Sequence, residues 1–395
     1  MKRQLLHTPE GVRDIYNDEC KKKQILQTQL QKTMECCGYQ IIQTPTFEFF
    51  DIFGKEIGTT PSKDLYKFFD REGNTLVLRP DITPSIARAV AMYFGEEDMP
   101  LRLYYMGSTF INNSSYQGRL KETTQLGAEL VGDNSVAADA EIVSMAVESL
   151  LAAGLKEFQL SIGHADFFTG LMEAAGFAEE AADELRELIA NKNYFGVEEV
   201  ISNHEMDENL RELFQMLGGF YFSADEMAKA RRLAAHYPKI LSSITRLEEL
   251  HQVLKLYGID KYISFELGIV SSYQYYTGVI FAGYTFGSGE AILKGGRYDK
   301  LHSYFGKNAA SIGFAITVDQ LMLALGRQDI TIDIPCAGEL IVYKEERLGE
   351  AIARAGKLRR AGIAAELVCM DSALDKAAYG IYTKQNHREK ITYLE

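Results

Sequence analysis

The sequence predicts an α+β fold, built on a largely antiparallel sheet flanked by helices, with a helical insert and a small C-terminal α/β domain. Three observations predict it. Short strand-like segments come in bunches, at 75–78, 101–106 and 124–131 and again at 263–267, 279–286 and 291–293. Segments with apolar residues every three or four positions lie between the bunches. From Leu340 onward the two periods alternate as βαβαβ. Taken alone, the strand pattern also leaves an α/β core open.

The elements follow in order. Thr8-Pro9-Glu10-Gly11 is turn-rich. Leu26, Leu30, Met34 and Cys37 then predict an amphipathic helix that stops at Gly38, and Tyr39–Gln43 reads as a strand running into Thr44-Pro45. Thr83-Pro84 reads as an N-cap followed by proline at the first helical position. Ala137–Ala153 predicts a helix and Phe158–Ile162 a strand, and 177–260 reads as a mostly helical insert. Phe314–Leu325 is expected to be helical, and Gly295-Gly296 to form a turn. The expected domains are a core over 1–327 and a small domain over 328–395, joined through Gln328–Pro335.

Composition narrows the function. The 395 residues carry a formal charge of −13. The insert holds sixteen acidic against nine basic residues, and the tail from Ile330 holds ten of each. Neither offers the basic stripe that phosphate contact requires, so no tRNA or other nucleic-acid partner is expected. No apolar run reaches the ~18 residues of a membrane span, and the N-terminus lacks a signal-peptide pattern. No membrane association is expected, and a cytoplasmic location is. Cys20, Cys36, Cys37, Cys336 and Cys369 form no C-x-x-C pair, which suits a reducing compartment and buried thiols. The histidines show no metal-ligand spacing, so neither metal nor cofactor is expected.

Several segments offer chemistry. Strand geometry puts Gln125, Gly127 and Glu129 on one face and Leu126, Ala128 and Leu130 on the core face. The first face presents an amide and a carboxylate across a glycine that leaves room for a ligand; an edge strand with Glu129 in solvent would give the same pattern. Asp81 and Thr83 stand where a strand enters a helix, placed to accept from an ammonium group or simply to stabilise the helix end. Tyr273, Tyr275, Tyr276, Tyr284 and Tyr298 gather around two expected hairpins, where most would serve packing.

Taken together and in order, Leu78-Arg79-Pro80-Asp81-Ile82-Thr83-Pro84, Thr124–Glu129, Tyr275-Tyr276-Thr277-Gly278 and Gly295-Gly296-Arg297-Tyr298-Asp299 resemble the catalytic core of histidyl-tRNA synthetase, a class II aminoacyl-tRNA synthetase, from about Thr8 to Leu325. The resemblance implies that Asp81, Thr83 and Gln125 hold the α-amino end of histidine. It implies that Glu129 and Tyr276 bracket the imidazole, and that Tyr275 and Tyr298 line the same pocket. The opening helix, strand and proline resemble motif 1, the dimer-forming element, although any helix–strand unit shares that pattern.

The departures matter as much. Where the family places its adenylate-forming arginines, this chain has Ile111, Ser271 and Gln320. Phe110 is followed by Ile111-Asn112-Asn113 instead of Arg-x-Glu, which also removes the adenine-reading carboxylate. Adenylate formation depends on fixed cations around the transferred phosphate, and the loss of one such donor costs about 10²–10³ in rate. Arg119, Lys121 and Arg297 remain as candidate cations. The combination resembles the synthetase-like regulatory subunits of ATP phosphoribosyltransferase. That resemblance implies no catalysis by this chain. It also implies a self-dimer, a hetero-octamer with a short-form catalytic subunit, and free histidine as the sensed ligand. The tail is similar to a shortened anticodon-binding domain.

Overall fold

The computed structural model describes residues 6–54, 60–113, 119–219, 224–269, 275–370 and 375–395. Chain contacts divide it into two units, one of Met1–Ile15 with Leu26–Thr331, the other of Tyr16–Ile25 with Ile332–Glu395.

In the first half, the elements run α1 (Asn17–Cys36), β1 (Gln40–Ile41), β2 (Phe47–Phe49), β3 (Lys67–Phe69), β4 (Thr75–Leu78), α2 (Thr83–Tyr93), β5 (Leu101–Phe110), β6 (Glu122–Val131), α3 (Val136–Ala152) and β7 (Phe158–His164). The insert follows as α4 (Ala165–Ala175), α5 (Glu179–Ala190), α6 (Tyr194–Ser202), α7 (Glu208–Gln215), α8 (Ala224–Leu233) and α9 (Pro238–Leu256). The chain then returns through β8 (Ile263–Phe265), β9 (Val279–Thr285), β10 (Leu293–Arg297), β11 (Ser311–Thr317) and α10 (Val318–Arg327).

Eight strands form the main sheet in the order β1-β5-β6-β11-β10-β9-β7-β8. The two edge pairs, β1 with β5 and β7 with β8, are parallel, and every other pair is antiparallel. One side of this sheet is closed by α3, which Ser135 caps by accepting from Ala138 N at 3.1 Å. Leu126, Ala128 and Leu130 face that core and are fully buried, as the alternation of β6 requires. A smaller antiparallel sheet, β2-β4-β3, leads into α2. Arg79 fixes this corner: its buried guanidinium donates to the carbonyls of Ser108, Thr44 and Pro45. Asp81 and Thr83 are thereby held over the open side of the main sheet.

The second unit holds β12 (Glu339–Tyr343), α11 (Leu348–Arg360), β13 (Ala365–Cys369), α12 (Lys376–Gln385) and β14 (Lys390–Leu394), with a parallel sheet in the order β13-β12-β14. Successive side chains of β12 point to opposite faces. Ile341 packs with Ala351 and Ala355 of α11, and Leu340 and Val342 pack with Tyr379 of α12.

Four expectations are corrected. Residues 311–317 are the strand β11, so the expected helix starts only at Val318. Buried Ile312, Phe314 and Ile316 alternate along β11 with Ser311, Gly313, Ala315 and Thr317, but the small Gly313 and Ala315 on the cavity side blur the contrast that marks a half-buried strand. Gly295-Gly296 is the middle of β10 and not a turn. Thr83 is the first residue of α2 and not its cap; Asp81 Oδ1 accepts from the amides of Ile82 and Thr83 instead, at 2.7 and 3.4 Å. The cysteines are free but not buried: Cys36, Cys336 and Cys369 are exposed, while Cys20 and Cys37 are half-buried. The apolar stripe of α1 is completed by Leu26, Leu30 and Met34, and Cys37 lies beyond the helix end.

Candidate functional site

The open face of the main sheet carries a cavity of about 430 Å³ within the first unit. Asp81, Thr83, Gln125, Glu129, Tyr275, Tyr276 and Tyr298 all line it. Residues almost two hundred positions apart reach one cavity because β6, β11 and β10 are neighbours. Glu129 pairs with Gly313, which pairs with Gly296, and Gln125 pairs with Thr317.

Glu129 is the centre of the floor. It is 1% exposed, which rules out the solvated edge position. Thr83 Oγ1 donates to its Oε1 at 2.8 Å and Tyr298 Oη to its Oε2 at 2.5 Å. Beside it, Tyr275 Oη donates to Asp81 Oδ2 at 3.4 Å. The ring of Tyr275 meets those of Tyr276 and Tyr298, with centroids 4.8 and 5.9 Å apart. Of the other tyrosines noted in the sequence, Tyr284 is exposed and Tyr273 lies outside the described residues.

Two glycines make the arrangement possible by close approach. A Cβ at Gly313 would stand 1.6 Å from Glu129 Oε2, so only glycine lets the carboxylate lie across β11. At Gly127 the space expected for a ligand is taken by Tyr105, whose hydroxyl would lie 2.5 Å from an added Cβ. Tyr105 is buried beside Gly127 without lining the cavity, and sequence reasoning missed it, since a tyrosine inside a plain strand gives no signal of its own.

Burial sets the electrostatics. It pushes the Glu129 carboxyl up to about 8, against the hydrogen bonds from Tyr298 and Thr83 that favour the charged form. Burial raises Asp81 as well, opposed by the amides of Thr83 and Ile82 and by Tyr275. The Tyr298 hydroxyl is driven well above its usual range by burial and by the charge of Glu129. The amide oxygen Oε1 of Gln125 is buried without a hydrogen-bond partner. Two desolvated carboxyls and an unanswered acceptor suit a ligand that brings ammonium or imidazole N–H groups.

The other end of the cavity is different. Ile111 and Gln320 line it and neither carries charge, while Ser271 lies outside the described residues. Arg119 is ion-paired with Glu290 at 2.6 Å. Arg297, kept in the sequence as a candidate cation, turns away from the cavity: its guanidinium clasps Asp139 Oδ1 at 2.9 and 2.6 Å and is 3% exposed. Alternation along β10 sends Arg297 to the helix side, where Asp139 of α3 also binds Arg246 of α9. Lys121 and Lys294 also line the cavity. No sequence motif marks Lys294.

The comparisons with known proteins agree with this fold. The histidyl-tRNA synthetase family model matches residues 11–321. The ATP phosphoribosyltransferase regulatory subunit of Acetivibrio thermocellus is 39% identical over 92% of this chain and 86% of its own length. That of Ruminiclostridium cellulolyticum is 38% identical over 95% and 90%. Among solved structures, the ATP phosphoribosyltransferase regulatory subunit/histidyl-tRNA synthetase of Bacillus halodurans superposes with a TM-score of 0.86 at 32% identity, covering 99% of this chain and 98% of that one. Histidyl-tRNA synthetase from Nostoc shares the fold, with a TM-score of 0.78 at 19% identity over 96% and 89%. The chain matches these relatives in sequence along nearly its whole length, and it belongs to the histidyl-tRNA synthetase-like family of ATP phosphoribosyltransferase regulatory subunits.

Proposed function

We propose that this chain is the non-catalytic regulatory subunit of an ATP phosphoribosyltransferase, required for the first step of histidine biosynthesis and sensing free histidine for feedback inhibition. Its relatives carry that name over most of the chain. The observation that carries the reading is the asymmetry of the cavity. One end offers Asp81 and Glu129, both buried, with Thr83, Gln125 and the tyrosines; the other has the uncharged Ile111 and Gln320, where the family resemblance implies arginines. Histidine would place its α-amino group at Asp81, Thr83 and Gln125 and its imidazole between Glu129 and Tyr276, with Tyr275 and Tyr298 closing the pocket. Phosphoribosyl transfer to ATP would take place on a separate short-form catalytic subunit, in a hetero-octamer built on dimers of this chain.

Feedback then requires that histidine change the affinity or activity of the partner, and binding linkage makes the effect on affinity mutual. The test is phosphoribosyltransferase activity of the short-form catalytic subunit, measured alone, with this chain, and with this chain plus histidine. The reading expects activation by the chain and inhibition by histidine that the catalytic subunit alone does not show. Failure of the chain to alter the partner's activity would refute the regulatory role.

A further inference from the structure

We propose that Lys294 binds the carboxylate of the amino-acid ligand; this rests on histidine as the ligand of the cavity. A zwitterionic amino acid that meets Asp81 and Glu129 with its cationic and imidazole groups still needs a cation for its carboxylate.

The cations of the cavity can be sorted by geometry. Arg297 is engaged by Asp139 and Arg119 by Glu290. Lys121 precedes β6 by one residue, eight positions from Glu129. At about 3.4 Å per extended residue its Cα lies about 27 Å from Glu129 and about 14 Å from Gln125, and its stem packs on Gly11, where an added Cβ would stand 2.6 Å from Lys121 Cγ. Lys294 stands close. Register places it opposite Ala315, which is opposite Gly127, so it is level with the midpoint between Gln125 and Glu129. Two strand spacings and two residues separate its Cα from that of Glu129, about 12 Å in all. The four-carbon stem of lysine spans roughly half of that gap, and the ligand would fill the remainder.

The alternation of β10 agrees. Lys294 and Gly296 face the cavity side, where the Tyr276 ring lies 2.8 Å from a Cβ built on Gly296, while Leu293 and Arg297 face the helices. Ala315, small and also a cavity residue, leaves the path from β6 to Lys294 open. Among the described residues no carboxylate forms an ion pair with Lys294, whereas Arg119, Arg246 and Arg297 are each paired. The lysine is exposed, so its replacement removes no core packing.

The experiment is calorimetric titration of the full chain with histidine and with histamine, which lacks the carboxylate, using wild type, Lys294→Met and Lys294→Arg. The wild type is expected to prefer histidine by about tenfold or more, the usual size of a charge-assisted hydrogen bond. Lys294→Met is expected to bring histidine down to the histamine affinity while leaving histamine unchanged, and Lys294→Arg to retain the preference. Lys294→Met with an intact preference, or with equal losses for both ligands, would overturn the role of Lys294 and leave histidine sensing standing. A wild type that binds neither ligand would overturn both.

Discussion

The hydroxyl of Tyr298 donates to Glu129 Oε2 at 2.5 Å across 169 positions of sequence. Through it, the loop after β10 and the middle of β6 act as one unit. Tyr298→Phe removes that donor and leaves one carboxylate oxygen unanswered in a buried site. Histidine affinity is expected to fall about tenfold, in line with the ~1–3 kcal/mol cost of a buried acceptor left unsatisfied. Calorimetry on the variant measures it, and an unchanged affinity would remove Glu129 from the pocket proposed for histidine.

The titration of Glu129 gives a prediction of definite sign. Its carboxyl lies at about 8 in the fold against an ordinary 4.5, so the folded chain holds a proton there that the unfolded chain has released between those values. Stability from this group is therefore fully present below pH 4.5 and lost as pH rises through about 8. Asp81, also raised, acts in the same direction. Urea denaturation at several pH values should show wild type losing stability relative to Glu129→Gln as pH rises, by on the order of a few kcal/mol in total. A difference independent of pH would contradict the burial of an ionisable group here.

Gly313→Ala tests the close approach on β11. The added Cβ would meet Glu129 Oε2 at 1.6 Å and Ala128 O at 2.6 Å. The carboxylate must leave its position, and overpacking should cost about 1–3 kcal/mol. A lowered melting temperature with weakened histidine binding is expected. Native stability in the variant would mean that the floor of the cavity is looser than these distances.

Asp139→Asn addresses the helix side of the same strand. Asp139 is fully buried and holds both Arg297 and Arg246. Removing one partner of a buried pair costs about 3–5 kcal/mol, because the remaining charge is left uncompensated. Chemical denaturation should show a loss of that size. Since Arg297 precedes Tyr298, a smaller loss of histidine affinity is expected with it.

Much of this was legible in the sequence, for uneven reasons. The alternation of β6 and the apolar stripe of α1 revealed themselves by period, because each element has one buried and one less buried face. Residues 311–317 defeated the same reasoning: Ile312, Phe314 and Ile316 alternate with residues as small as Gly313 and Ala315, and the pattern runs without a break into the apolar stripe of α10. Gly295 and Gly296 looked like punctuation, yet they are glycine because the rings of Phe281 and Tyr276 lie where side chains would stand. Arg297 shows a charge in the sequence but not the carboxylate that claims it. The seven expected pocket residues were assembled by resemblance to a family and not by spacing, since no local pattern joins Asp81 to Tyr298. Lys294 and Tyr105 escaped because their positions follow only from strand register.

Equilibrium dialysis of the purified chain against labelled histidine, with magnesium and ATP present, tests the account most directly. The prediction is saturable binding near one histidine per chain, with all bound label recovered as the free amino acid. Absence of binding at millimolar histidine, or recovery of label as an adenylate, would contradict it.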